Sequence, residues 1–213
     1  MRNRLDHQLE TLNTALAAMG TLCEDAICAG VQSLLEHDDS MAQHADLCEQ
    51  EIDNAEREIE SLCLKLLLQQ QPVARDLRTI SSALKLISDM ERIGDQAADI
   101  AEIARHIADT SLPGQTHIVD MTRAAVKMVS ESVASFVKKD LNLAQAVIQY
   151  DDVVDTSFLA VKDELITLIR SNRETAAQAL DLLMAAKYLE RIGDHAVNIA
   201  QWVIYSITGQ YEM

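Results

Sequence analysis

The residues best suited to chemistry in this sequence are acidic, and they come in fours. Glu49 and Asp53 stand one helical turn apart, as do Glu91 and Asp95, Asp151 and Asp155, and Glu190 and Asp194. Spacing of i, i+4 puts both carboxylates of a pair on one helix face, about 6 Å apart along the axis, where like charges repel by a few tenths of a kcal/mol. If the first two pairs sit on an antiparallel hairpin folded at residue 72, Glu49 faces Asp95 and Asp53 faces Glu91. A fold between 172 and 173 sets Asp151 against Asp194 and Asp155 against Glu190 in the same way. Each square of carboxylates then needs positive charge, supplied by a bound metal ion or by the adjacent arginine, Arg92 or Arg191. Asp99 extends the first ladder by a turn, and Asn198 takes that place in the second, which is expected to hold one charge fewer. These ten residues are the candidate metal ligands, for divalent or trivalent ions among Fe, Mn, Mg, Ca or Zn. Oxygen-only ligands suit the hard cations of that group better than a structural zinc. A plainer reading stands beside this one: Gly94 and Gly193 let a neighbouring helix approach, and the Glu and Arg form ordinary surface pairs.

Other chemistries find less support. The sequence holds no Gly-rich loop to cradle phosphate and no nucleophile with a partnered base, so no catalytic residue is predicted. His7, His37, His44, His106, His117 and His195 are scattered, and none follows an acid in the Glu-x-x-His spacing of di-iron bundles. Cys23, Cys28, Cys48 and Cys63 form no Cys-x-x-Cys pair and are expected to be reduced core thiols. A formal charge of -16 is expected to repel nucleic-acid phosphates and anionic lipid headgroups, which leaves cations and basic protein surfaces as partners and a membrane reached only through them. The apolar runs are broken by charge before the roughly 20 residues of a membrane span, and no signal-like stretch follows Met1, so a cytoplasmic protein is expected.

The elements that must position the acids are helices. Apolar residues make up 48% of the chain and aromatics only 3%, which favours helices packed on helices through Ala, Leu, Ile and Val. The periodicity breaks at 36–40, 71–72, 110–116, 138–142 and 171–172, leaving six long helices. Pro72 is predicted in the first turn of the third helix, and Ser171 with Glu174 as a capping box. The stretch beginning Met90-Glu-Arg-Ile-Gly-Asp returns as Leu189-Glu-Arg-Ile-Gly-Asp, and Met19, Asp38, Glu49 and Asp53 match Met121, Asp140, Asp151 and Asp155. The chain is therefore predicted to be all-α, with six long helices as two tandem, pseudo-symmetric antiparallel three-helix bundles. Residues 1–110 form the first repeat, 111–116 the linker and 117–213 the second repeat. Trp202 and Tyr205 are expected to serve core packing or an interface.

Two copies of Glu-Arg-Ile-Gly-Asp-x-Ala-x-Asp/Asn-Ile-Ala, with Pro72-Val-Ala-Arg-Asp-Leu-Arg78 and the four acid pairs, resemble the PhoU family of phosphate-transport regulators over nearly the whole chain. The resemblance implies that the pairs at 49 and 53, 91 and 95, 151 and 155, and 190 and 194 ligate metal. It also implies a cytoplasmic, homodimeric negative regulator of phosphate uptake and phosphate-starvation signalling. The implied partners are the ATPase subunit of a phosphate ABC transporter and a phosphate-sensing histidine kinase. Asn198 departs from the first repeat's Asp99 and puts full loading of the second site in question. The competing reading is a carboxylate metalloprotein, a metal-storage or hydrolytic bundle, which would show turnover with added metal.

Overall fold

The apolar stripes close into two bundles of three. In the first are α1 (Arg2–Glu36), α2 (Asp39–Gln70) and α3 (Arg75–Ala104); in the second are α4 (Gln115–Lys138), α5 (Leu141–Ser171) and α6 (Ala176–Thr208). The structure is a computed structural model and describes residues 2–70, 72, 74–107 and 114–210. Each helix touches both others of its bundle, and the bundles join where α1 meets α4 and α3 meets α6. The predicted tandem, pseudo-symmetric architecture is the one found.

The repetition extends into the turns. α1 ends before His37, whose φ is 51°, and α4 ends before Lys139, at 54°. The next residue in each half is an aspartate that caps the following helix. Asp38 Oδ1 accepts the Ser40 N–H at 2.8 Å, and Asp140 Oδ1 accepts that of Leu143 at 3.1 Å. Two expected starts differ. Pro72 lies outside the helix, because the chain reverses at Ala74, with φ 45°, and α3 begins at Arg75. Ser171 is the last residue of α5 and its hydroxyl donates back to the Leu168 carbonyl. The cap is Asn172, whose side-chain oxygen accepts the Glu174 N–H at 3.1 Å and opens a short 3-10 turn into α6. Half of the expected linker, residues 111–113, falls outside the described residues, and α4 already starts at Gln115, behind Gly114 with φ 96°.

Leu5–Glu36 is long and apolar enough to cross a bilayer, contrary to the expectation that no stretch qualifies. Its stripe is committed elsewhere: Leu12, Leu16, Met19 and Ile27 are fully buried in the core. Burying each such side chain contributes about 1.5–3 kcal/mol. All four cysteines are free; Cys23, Cys48 and Cys63 are buried as expected, whereas Cys28 is exposed on the outer face of α1.

α3 and α6 run antiparallel, with Gly94 and Gly193 at equivalent places along them. Residues equally far before Gly94 and after Gly193 meet: Asn198 Nδ2 donates to Asp89 Oδ1 at 3.2 Å, Lys85 lies over the Trp202 ring at 5.8 Å, and Arg78 covers Gly209. On the other side of this local twofold Tyr188 stands against Asp99, where burial and the Asp99 charge raise its phenol. Trp202, edge-on to Tyr205 at 5.8 Å, therefore closes the joint between the bundles.

Candidate functional site

The hairpin register predicted from the acids is the register found. Ser88 on α3 donates to Glu56 Oε1 on α2 at 3.5 Å, and a Cβ on Gly94 would stand 2.9 Å from Ile52. Those contacts set Glu49 and Asp53 beside Glu91 and Asp95. Burial first, then the charges of Asp53 and Asp95, raises the Glu49 carboxyl above its ordinary range. Burial and Asp95 raise Glu91, while Arg92 opposes them. Burial also raises Asp95, against Arg92 and with the charges of Asp53 and Asp99. Arg92 spans the square as expected, 3.5 Å from Glu91 and 3.6 Å from Asp95. A second cation, Arg57, holds Asp53 at 3.1 Å.

In the second half Asp151 and Asp155 on α5 meet Glu190 and Asp194 on α6. Asp151 lies against Gly193, where a Cβ would come within 3.0 Å of its Oδ1. Burial, then Asp155, Asp194 and Glu190, push its carboxyl up to about 6. Burial and Glu190 raise Asp194, with Lys187 and His195 pulling the other way. The cation on Glu190 is Lys187, not the expected Arg191, and it also lies over the Phe158 ring at 5.6 Å. Lys187 is three residues from Glu190 on its face and takes the place of Ser88 in the first half, where the adjacent Arg92 reaches Glu91 instead.

The two residues that extend the ladders point elsewhere. Asp99 stands against Tyr188 and Asn198 donates to Asp89, so both serve the α3–α6 joint. Asp89 also meets His195 Nδ1 at 2.8 Å. As placed, no three His, Cys, Asp or Glu among the described residues are close enough to hold a metal ion. The donor chemistry nonetheless fits a hard cation: eight mutually repelling carboxylates in two squares, with Arg57, Arg92 and Lys187 standing where a metal's charge would otherwise be needed.

The PhoU domain model matches this chain twice, over residues 16–104 and 118–203, one match to each bundle. The chain belongs to the PhoU family. The "Phosphate-specific transport system accessory protein PhoU homolog" of Pseudomonas aeruginosa is 36% identical over 95% of this chain and 84% of its own length. The protein of the same description from Clostridium acetobutylicum is 33% identical over 98% and 96%. The crystal structure of PhoU from Pseudomonas aeruginosa superposes with TM-score 0.90 at 35% identity, covering 96% of this chain and 99% of that one. The phosphate transport system regulatory protein PhoU from Streptococcus pneumoniae gives 0.91 at 25%, covering 98% and 99%.

Within this PhoU fold, sequence reasoning missed Asp89, Tyr188, His195 and Lys187. The signal was present in the repeat, since Asp89 matches Tyr188 and Asp99 matches Asn198, two polar pairs that exchange places. How the halves dock was the missing step.

Proposed function

We propose that this chain is a cytoplasmic accessory regulator of a phosphate transport system, acting by binding and not by turnover. What carries this reading is the likeness along the whole chain, in both bundles, to proteins named as accessory or regulatory components of phosphate transport. The partners inferred are the ATPase subunit of the phosphate ABC transporter and a phosphate-sensing histidine kinase, both damped when phosphate is plentiful, with the chain acting as a homodimer.

Metal ions belong to the same proposal. Glu49, Asp53, Glu91 and Asp95 would hold one set and Asp151, Asp155, Glu190 and Asp194 the other, with Asp99 and Asn198 at the margins. A bound cation would supply positive charge that stiffens two neighbouring helices. The chain's own part is to set the carboxylates in register across each hairpin and to keep Arg57, Arg92 and Lys187 beside them as competing charges.

Replacing Glu91 and Asp95 together by Ala tests the site: metal retained through purification, measured by elemental analysis, should fall to that of the second square alone, with helical circular dichroism unchanged. Capture of the transporter ATPase from membranes should fall in parallel. Retained capture by the metal-depleted variant would remove the metal squares from partner binding. A deletion strain in which phosphate-replete alkaline phosphatase stays repressed would remove the regulatory reading itself.

A further inference from the structure

The charge of this molecule is unevenly placed along the first hairpin. Residues 36–60 carry ten carboxylates and a single cation, Arg57. Residues 61–88 carry Lys65, Arg75, Arg78 and Lys85 against one acid, Asp76, with Arg78 and Lys85 turned to the α3–α6 joint. The second stretch is the end of α2 and the start of α3, the closed end of the hairpin. That end also exposes large apolar side chains: Leu68 is 81% exposed, Leu64 48% and Leu77 45%. Leu64 and Leu68 share one face of α2, and the register that joins Ser88 to Glu56 brings Leu77 across to the same turn. Lys65 and Arg75 lie exposed beside them. In the second half the corresponding end mixes Arg170 and Arg173 with Glu164, Glu174 and Asp181.

We propose that the closed end of the α2–α3 hairpin is a docking surface for an anionic lipid bilayer. Leu64, Leu68 and Leu77 enter the boundary between headgroups and acyl chains, while Lys65 and Arg75 meet lipid phosphates. Exposed leucines spread over two helix ends gain from a rigid protein only where it offers matching hollows, whereas a fluid headgroup layer moulds around them. The net charge of -16 does not prevent this approach. Asp53, the nearest carboxylate of the first square, is 15 residues from Leu68, about 22 Å along the helix and more than two Debye lengths at physiological salt. The squares are thus screened from a surface that the cations touch, and the acids closer to it are two, Glu60 one turn before Leu64 and Asp76 beside Arg75. This proposal stands independently of the transport reading.

The test is co-sedimentation of the full chain with phosphatidylglycerol vesicles and with phosphatidylcholine vesicles, each at low and high salt. Preferential, salt-sensitive binding to phosphatidylglycerol is expected. Replacing Lys65 and Arg75 together by Gln should lower the partition coefficient on the order of thirtyfold. Leu68→Ser, at an exposed site that leaves the fold intact, should lower it several-fold. Equal partition onto both lipids, or unchanged binding in both variants, overturns the proposal. Binding to poly-glutamate beads without binding to phosphatidylglycerol overturns it in favour of an acidic protein partner.

Discussion

Asp53 and Asp155 occupy equivalent places in the two bundles, yet their surroundings differ. Asp53 is partly buried and held by Arg57, and its neighbours Glu91 and Asp95 share Arg92. Asp155 is exposed; Leu159 stands where Arg57 would be, and the nearest cation, Lys187, holds Glu190. The first square is thus offset by two arginines and the second by one lysine, and the larger uncompensated repulsion of the second shows in Asp151, whose carboxyl is raised to about 6. One backbone plan, used twice, leaves more of the same repulsion in one copy than in the other, where it appears as a raised affinity for the proton.

The sharpest way to break the equivalence lies below the acids. Gly30 on α1 and Ser132 on α4 match in the repeat, but a Cβ on Gly30 would stand 2.5 Å from the Ala97 carbonyl oxygen. Ser132 carries its side chain fully buried, donating to Val129 O at 2.8 Å. Gly30→Ser, which imports the second bundle's residue, meets rigid backbone and should cost about 2 kcal/mol after the gain in helix propensity. Urea denaturation measures it. A cost near zero would mean that α1 and α3 slide apart freely and that the first bundle is no tighter than the second.

Next in size is Asn198→Asp, which gives the second ladder the acid found in the first. The amide that donates to Asp89 is lost and a like charge replaces it, so the α3–α6 joint should weaken by about 1.5 kcal/mol at neutral pH. Elemental analysis of the same variant shows whether the added carboxylate turns to the square instead. Increased metal content with unchanged stability would make Asn198 the reason for a less charged second site.

Asp151→Asn addresses the protonation side of the comparison. The folded carboxyl titrates near 6, above the ordinary range near 4, so the folded chain binds the proton more tightly than the unfolded chain. The contribution of Asp151 to stability is therefore highest below about pH 4 and declines as pH rises through 6. Discounted for partial solvent access, the asparagine variant of chelator-treated protein should be about 1 kcal/mol more stable than wild type at pH 8 and equal to it at pH 4. A gain that does not vary with pH would trace the effect to packing against Gly193.

Much of this layout was legible in the sequence. The repeat fixed both bundles at once, and short turns left little freedom in pairing Glu49 with Asp95 or Asp151 with Asp194. What stayed hidden depended on directions that spacing does not encode. Arg191 adjoins Glu190 as Arg92 adjoins Glu91, but the second half has Lys187 where the first has Ser88, and that lysine takes the carboxylate. Pro72 marked the reversal correctly, but the positive φ of Ala74 delayed the helix to Arg75. Asp99 and Asn198 were placed on the ladders because helical periodicity allowed it. Their true partners belong to the other half, and a repeat does not state how its copies meet.

The smallest expected effect tests that last point. Asp99→Asn keeps a polar side chain of the same shape beside Tyr188, so the joint should lose only a charge, one that also acts on Asp95. Stability should then change by no more than a few tenths of a kcal/mol, rising if anything, because a source of repulsion on Asp95 is gone. The first square should also retain its metal, since its four principal carboxylates are untouched. A marked fall in metal content would return Asp99 to the ligand set. It would mean that the side chain leaves Tyr188 when a cation is present, and that the two bundles share one polar joint between metal binding and docking.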